Sequence, residues 1–582
     1  MHRVSRPFTV IPLVTAVVFA PVAAVAAPDA AAQQNITTLV RGMSLEDKVG
    51  QLFVTYINGQ SPDEVNPVNR TDFGVDTPAQ VVEKFHPGGV IYFNNSSRDN
   101  IDTPQQIKAL SNGLQRAATA SGSRIPLAIS TDQEMGIVTR IGAPATQFPG
   151  NMALGAGRST ADAEKAATIT ASELRAMGIN QDFAPDADVN SNPVNPVIGV
   201  RSYSSDPKLA ADMTAAQVRG YQQKFFAKSA VSATAKHFPG HGDTAEDSHT
   251  SLPVVDRTVE QWREVDAPPF KAAIAAGIDS IMTAHIQTPQ IDPSGEPATL
   301  SKPVVTGLLR DELHYDGVVI TDSLGMAGVR KLHSDAEIPV LALKAGVDQL
   351  LMPVNLELAI NSVLDAVRSG EISERRIDQS VLRVLRMKFM RGMLTKPLAT
   401  DDPIGSEPNL KTAQEITDRT ITAIRNDAGV LPLRTKPASA LVTGWGDTTT
   451  KTLAGRLTAR GTSTTALATG SVPAEAQIAA AVNAANNAEV VVVLTNSLSK
   501  QTAQQALLAR LLATGKPVVA VAVQNPYDVG HNSPTWLATY SYGAVSMESL
   551  AKVIYGEAAP QGKLPVAVPG PTQYPLGHGV TW

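Results

Sequence analysis

AVSATAKHFPGHGDTAEDSH occupies residues 230–249. Its first nine residues are mostly small and apolar and end in Lys236, His237 and Phe238. Its last eleven hold Pro239, Gly240, Gly242, two further histidines and three acidic residues. An apolar run that stops at a Pro-Gly pair predicts a strand followed by a loop. Such a loop can hold a metal, activate a nucleophile, or supply the acid and base of a hydrolase. Which of these it does depends on what surrounds the strand.

Seven other runs share the pattern: QLFVTYI from 51, GGVIYF from 88, PLAIST from 126, GINQDFAP from 178, DSIMTAHI from 279, GVVITDS from 317 and GVDQLLMP from 346. Each is short and bounded by turn formers, with helical patterns between. This alternation predicts βα units and a parallel sheet. Eight units over about three hundred residues predict a (β/α)₈ TIM-type barrel, with a doubly wound sheet as the alternative. The barrel is expected over residues 36–395. It closes with ISERRIDQSVLRVLRMKFMRGML, where Ile377, Val381, Leu385 and Phe389 recur every four residues as one helix face. Residues 396–410, rich in Pro and Asp, read as a linker. From 411 to 582 the runs ASALVTG, AEVVVVLT and PVVAVAVQNP predict a smaller three-layer α/β sandwich. The apolar run after Glu489 suits a strand buried on both faces.

The chain has 582 residues, 43% hydrophobic and 18% charged, with a net charge of −5. That balance offers no basic face for nucleic acid. With no cysteine, disulfides, thiolate zinc sites and a lipid-modified N-terminal cysteine are all excluded. Arg3 and Arg6 precede an apolar stretch that ends in Ala24-Val25-Ala26, the pattern of a cleavable signal peptide over residues 1–26. The expected location is therefore secreted or cell-wall associated. No second membrane span is expected, and the Ala/Gln-rich residues 28–35 are expected to be irregular.

In a barrel enzyme the reacting groups project from the C-terminal ends of the strands. Asp132, Asp182, Asp186, Lys236, His237, His285 and Asp322 all stand there. Asp322 suits a catalytic carboxylate or a helix cap equally well. Asp186 and Asp188 suit solvated or capping roles, and His285 a structural one. Trp445 and Trp582 suit packing better than sugar stacking. Asn94 and Asn95 suit the pocket wall. A metal site would draw on His237, His241, His249 and an aspartate. No H-E-x-x-H helix is present, however, and Pro239, Gly240 and Gly242 break any helix there. Ser248 lacks a G-x-S-x-G elbow and sits between its supposed partners, which disfavours a serine nucleophile.

MSLEDKVGQLF, DQEMGIVTRI, DFAPDADVN, RSYSSDP, KHFPGHGDTAEDSHTSLP, MTAHI and VVITDSLGM follow one another over residues 43–326. In that order they resemble glycoside hydrolase family 3, in particular its NagZ-type β-N-acetylglucosaminidases. NDAGVLPL, GKLPVAVPG and YPLGHGVTW resemble the family's second domain. The resemblance implies a retaining exo-β-N-acetylglucosaminidase acting on a glycan, without metal or other cofactor. It implies Asp322 as nucleophile, His249 as general acid/base and Asp247 as its partner. It implies Asp132, Arg140, Arg201, Lys236 and His237 as contacts to N-acetylglucosamine. Retaining glycosidases need a nucleophile and a separate proton donor, and a histidine can both give and take a proton near neutral pH. Three other activities stay open. β-Glucosidases and β-xylosidases of the family usually draw their acid/base from the second domain. A phosphorylase would use the same histidine. A sugar-binding protein would have two similar lobes, whereas the candidate groups here cluster in the first domain. The oligomeric state stays open too.

Overall fold

The computed structural model describes residues 30–582 apart from 224–226. The expected signal peptide lies outside the described residues.

All eight predicted runs carry strands: β1 (Phe53–Tyr56), β2 (Gly89–Ile91), β3 (Ala128–Thr131), β4 (Gln181–Asp182), β5 (Ser232–Phe238), β6 (Ser280–Thr283), β7 (Val318–Thr321) and β8 (Leu350–Leu351). They form one parallel sheet in the order β8-β1-β2-β3-β4-β5-β6-β7. A parallel bridge from Ile320 to Gln349 joins β7 to β8 and closes the barrel. These strands are buried throughout, as parallel strands covered by helices must be. The helix Glu374–Met390 caps the barrel wall, with Ile377, Val381 and Leu385 buried in the core and Phe389 packed against it. From residue 30 onward the Ala/Gln-rich start is not irregular. It opens the helix Ala30–Gly42, which buries Ile36 and Val40 in the barrel core. Ala and Gln are good helix formers, and those two apolar residues supply the tertiary contact that a short helix needs.

The second sheet contains β9 (Thr422–Asn426), β10 (Ser439–Gly444), β11 (Ser463–Ala468), β12 (Val490–Thr495), β13 (Val518–Ala522) and β14 (Thr535–Ala538). Their order is β9-β14-β13-β12-β10-β11, with only β9 antiparallel. Val491 and Val493 face one apolar cluster while Val490, Val492 and Leu494 face another. The central strand is thus buried on both faces. Between the two domains, the stretch expected as a linker runs into the helix Glu407–Asp418, capped by Ser406. Met152, Ala153, Ala156 and Val200 of the barrel belong to the same apolar cluster as the second sheet. Polar ties reinforce this contact. The Ser204 hydroxyl donates to the Pro565 carbonyl at 2.5 Å, and the Asn190 amide donates to the Tyr527 hydroxyl at 2.7 Å. Among the described residues no helix is long and apolar enough to cross a membrane.

Candidate active site

At the C-terminal end of the barrel a cavity of 290 Å³ is lined by Asp132, Arg140, Arg201, Lys236, His237, His249 and Asp322. Those are the predicted sugar contacts, nucleophile and acid/base, drawn from the ends and following loops of four strands, β3, β4, β5 and β7. Asp247 stands beside His249. The register between β5 and β6 shifts between Ala235 and Phe238. Consecutive Lys236 and His237 therefore both reach the cavity, where a regular strand would send one of them to the opposite side.

The cavity wall is a charge network. Lys236 Nζ lies 2.9 Å from Asp132 and 2.6 Å from Glu134. Arg201 forks onto Glu134 at 2.9 and 2.8 Å, and Arg140 approaches Asp132 at 3.6 Å. Burial opposes every one of these charges, but opposite charges this close override it. Lys236 and Arg201 are held above their usual values, and Asp132 and Glu134 below theirs. The wall is thus ionised and pre-arranged, with donors and acceptors suited to sugar hydroxyls.

Behind the wall, Asp186 and Asp188 are fully buried, which corrects the expectation of solvated or capping residues. Asp188 accepts from the His237 ring at 2.8 Å and from the His241 amide at 2.6 Å. Asp186 lies 3.7 Å from Arg201. Burial and the Asp188 charge push its carboxyl well up. Burial, aided by the Arg201 charge, drives His237 down to about 3. A neutral ring then donates from Nδ1 to Asp188 and accepts at Nε2 from Arg201, 3.4 Å away. Asp186, Asp188 and His237 converge closely enough to suggest a cation. Arg201 and the His241 amide already occupy that space. His241 directs both ring nitrogens elsewhere, to Thr244 at 3.0 Å and Ser248 at 2.9 Å. The set His237, His241 and His249 therefore does not gather round one point.

Asp322 follows β7 at the cavity floor. Its Oδ1 accepts the Ser323 amide at 2.6 Å. Burial raises its carboxyl, but His237, His285, that amide and His249 together hold it below the usual range. It caps no helix, because the next one, Ala327–Arg330, begins at Met326 without a side-chain cap. His285 is buried and structural: its ring bonds Thr299 at 2.8 Å and the Ser323 carbonyl at 2.9 Å. At the rim, His249 Nδ1 lies 2.7 Å from Asp247, whose carboxylate also accepts the His249 amide at 2.8 Å. Burial works against that carboxylate, yet the two hydrogen bonds keep its pKa below normal. The His249 side chain is 60% exposed. Its Nε2 makes no hydrogen bond among the described residues.

Sequence reasoning missed Glu134, and weighed His241 only as a metal ligand and Ser248 only as a nucleophile, whereas the two side chains bond each other. Glu134 was legible: it stands two residues after Asp132, on the same side of an extended chain. Asn94 is exposed and bonds the Arg140 carbonyl at 2.6 Å. Trp445 and Trp582 pack against the second domain's core, far from sugar-stacking duty.

The chain belongs to glycosyl hydrolase family 3. The family's N-terminal domain model matches residues 44–387 and its C-terminal domain model residues 421–581. The chain is 38% identical over 381 residues to beta-hexosaminidase A of Pseudoalteromonas piscicida, a match that covers 61% of this chain and 62% of that protein. It is 29% identical over 411 residues to a beta-N-acetylglucosaminidase/beta-glucosidase of Cellulomonas fimi, covering 68% and 67%. A solved family 3 beta-N-acetylglucosaminidase from Paenibacillus sp. str. FPU-7 superposes with a TM-score of 0.82 at 36% identity, covering 92% of this chain and all of that one.

Proposed function

We propose that the chain is an exported, retaining exo-β-N-acetylglucosaminidase. The observation that carries this reading is the separation of roles around one cavity. An ionised carboxylate, Asp322, lies at the floor, and an imidazole–carboxylate pair, Asp247–His249, at the rim. Of the carboxylates that line the cavity, Asp132 and Glu134 are tied to cations and held ionised. Neither has a proton to give, which leaves His249 as the donor. The cavity, at 290 Å³, lies below the span of drug-sized pockets and suits a single terminal sugar.

In this mechanism Asp132, Arg140, Arg201, Lys236 and His237 hold the hydroxyls and acetamido group of the sugar. The Asp322 carboxylate attacks the anomeric carbon while His249 Nε2 protonates the leaving oxygen. A glycosyl-Asp322 ester results. His249 then takes a proton from water, which attacks the same carbon and frees Asp322. Two inversions give net retention. Asp247 holds the ring by Nδ1 and offsets the imidazolium charge, as the carboxylate of a catalytic triad does.

The natural substrate we propose is a peptidoglycan fragment with N-acetylglucosamine at its non-reducing end. The residue 1–26 pattern supports export. Arg98 at the cavity mouth stacks on Tyr56 at 3.9 Å. Among the described residues it has no carboxylate within ion-pair distance, which suits an aglycone bearing a carboxylate. Chitin oligosaccharides are the neutral rival. Comparing kcat/KM on the two classes tests this: equal values would remove the case for an anionic aglycone. The reaction itself is tested by product stereochemistry and by mass spectrometry after trapping with a 5-fluoro sugar. The label is expected on the peptide containing ITDSLGM. A label elsewhere or an inverted product would refute the assignment. A phosphorylase would reveal itself by acceleration in inorganic phosphate.

A further inference from the structure

The loop that carries the dyad has an odd burial pattern. Asp247 and His249 are half-buried and exposed, yet Ser248 between them is 2% exposed. Its hydroxyl lies 2.9 Å from His241 Nε2, and its carbonyl accepts the Gly328 amide at 3.2 Å. Gly328 allows that approach, since a Cβ there would stand 3.0 Å from the Ser248 oxygen.

His241 is in turn fixed to the barrel. Its amide donates to Asp188 at 2.6 Å, and its carbonyl accepts from Asn195 at 2.9 Å. The Thr244 hydroxyl lies 3.2 Å from the His241 carbonyl and 3.0 Å from Nδ1. A threonine has one hydroxyl proton. Given to the carbonyl, it leaves the oxygen to accept from Nδ1–H. Nε2 is then an acceptor, and Ser248 the donor. Burial drives the ring down to about 4, so it stays neutral through the neutral range.

We propose that Ser248 and His241 are positioning residues that latch the Asp247–His249 pair over the cavity. The proposal rests on the reading of His249 as the acid/base. The chain Asp188–His241–Ser248 links the buried network behind the sugar to the one segment of the site that stands in solvent. One peptide bond on either side of Ser248 leaves the dyad free to turn but not to drift. Loss of the latch spreads the loop over more conformers, and the fraction with His249 in place falls. Asp322 and the charge network are untouched.

The full-length Ser248→Ala, Ser248→Thr, His241→Gln and His249→Ala variants test this on an N-acetylglucosaminyl disaccharide and on a nitrophenyl glycoside. Ser248→Ala should lower kcat/KM on the disaccharide about tenfold but on the nitrophenyl glycoside less than about threefold, the scale of one lost hydrogen bond. On the disaccharide KM should hardly move. Ser248→Thr, which keeps the hydroxyl, should recover most of the loss. Adding His241→Gln to Ser248→Ala should cost little more in leaving-group dependence, since both break the Ser248–His241 bond; the Thr244 bond that His241→Gln also gives up bears on stability. Equal losses on both substrates, or a change in KM alone, would make Ser248 a plain structural or substrate contact and overturn the latch. Leaving-group dependence in His249→Ala but none in Ser248→Ala would overturn the latch alone. No such dependence in His249→Ala would overturn the acid/base reading beneath it.

Discussion

The cavity wall and its rim are built to opposite rules. At the wall, Glu134 is 1% exposed and Lys236 3% by side chain, and the two charges lie 2.6 Å apart. At the rim, the His249 side chain is 60% exposed and, among the described residues, its ring bonds only Asp247. In the proposed mechanism fixed ions bind the sugar, and the group that must gain and lose a proton each turnover stands in solvent. The contrast teaches where stability and chemistry part. Removing a wall residue leaves a buried charge without its partner. Removing the rim imidazole leaves nothing uncompensated.

The largest effect should come from the floor between them. Asp322→Asn should lower kcat by roughly 10⁴-fold on any leaving group, since no other carboxylate can form the ester. Thermal unfolding should scarcely change. Next is the rim: with an activated nitrophenyl substrate, His249→Ala should stall at the glycosyl-enzyme. Azide, a nucleophile that needs no base, should then accelerate turnover and yield a glycosyl azide of retained configuration. Asp247→Asn should behave alike but more mildly, and neither variant should move Tm.

Glu134→Gln should act differently on both counts. It breaks a buried network and should cost about 3 kcal/mol of stability. KM should rise with either leaving group, and a Tm equal to wild type would erase the contrast drawn here. The smallest effect concerns Asp182, which burial pushes up to about 8 from an ordinary 3.8. Between those values the folded chain keeps a proton that the unfolded chain has lost, so this group costs stability as pH rises. Asp182→Asn should flatten the fall of Tm from about pH 5 to pH 8. Asp186, also raised by burial, should retain part of the slope.

The barrel was legible because most of its strands are short apolar runs bounded by turn formers, although β4 itself is only Gln181–Asp182. The second sheet was half legible. β10, β12 and β13 are buried valine- and alanine-rich runs, whereas β11 is a polar, largely exposed edge strand, STTALA, and β9 carries an arginine. Edge strands lack the two-sided burial that makes a sequence run apolar. In the site, strand-end position picks out Asp132, Lys236, His237 and Asp322, which line the cavity, but equally Asp182, Asp186 and His285, which do not. Glu134 was passed over although its spacing from Asp132 marked it. The buried state of Asp186 and Asp188 was hidden, because it follows from a histidine ring and an amide brought in from β5. Ser248 was hidden for a similar reason. Its partner is only seven residues away, but the turn between them is irregular and has no periodicity to read.

The central claim is that His249, and no carboxylate, supplies the proton. It is tested most directly by kcat/KM for a series of aryl and alkyl N-acetylglucosaminides of graded leaving-group pKa, in wild type and His249→Ala. The account predicts a shallow dependence for wild type and a steep one for the variant, with the two lines meeting at the best leaving groups and at least about a hundredfold apart at the alkyl end. Parallel lines would contradict it, because a residue that only binds lowers every rate alike.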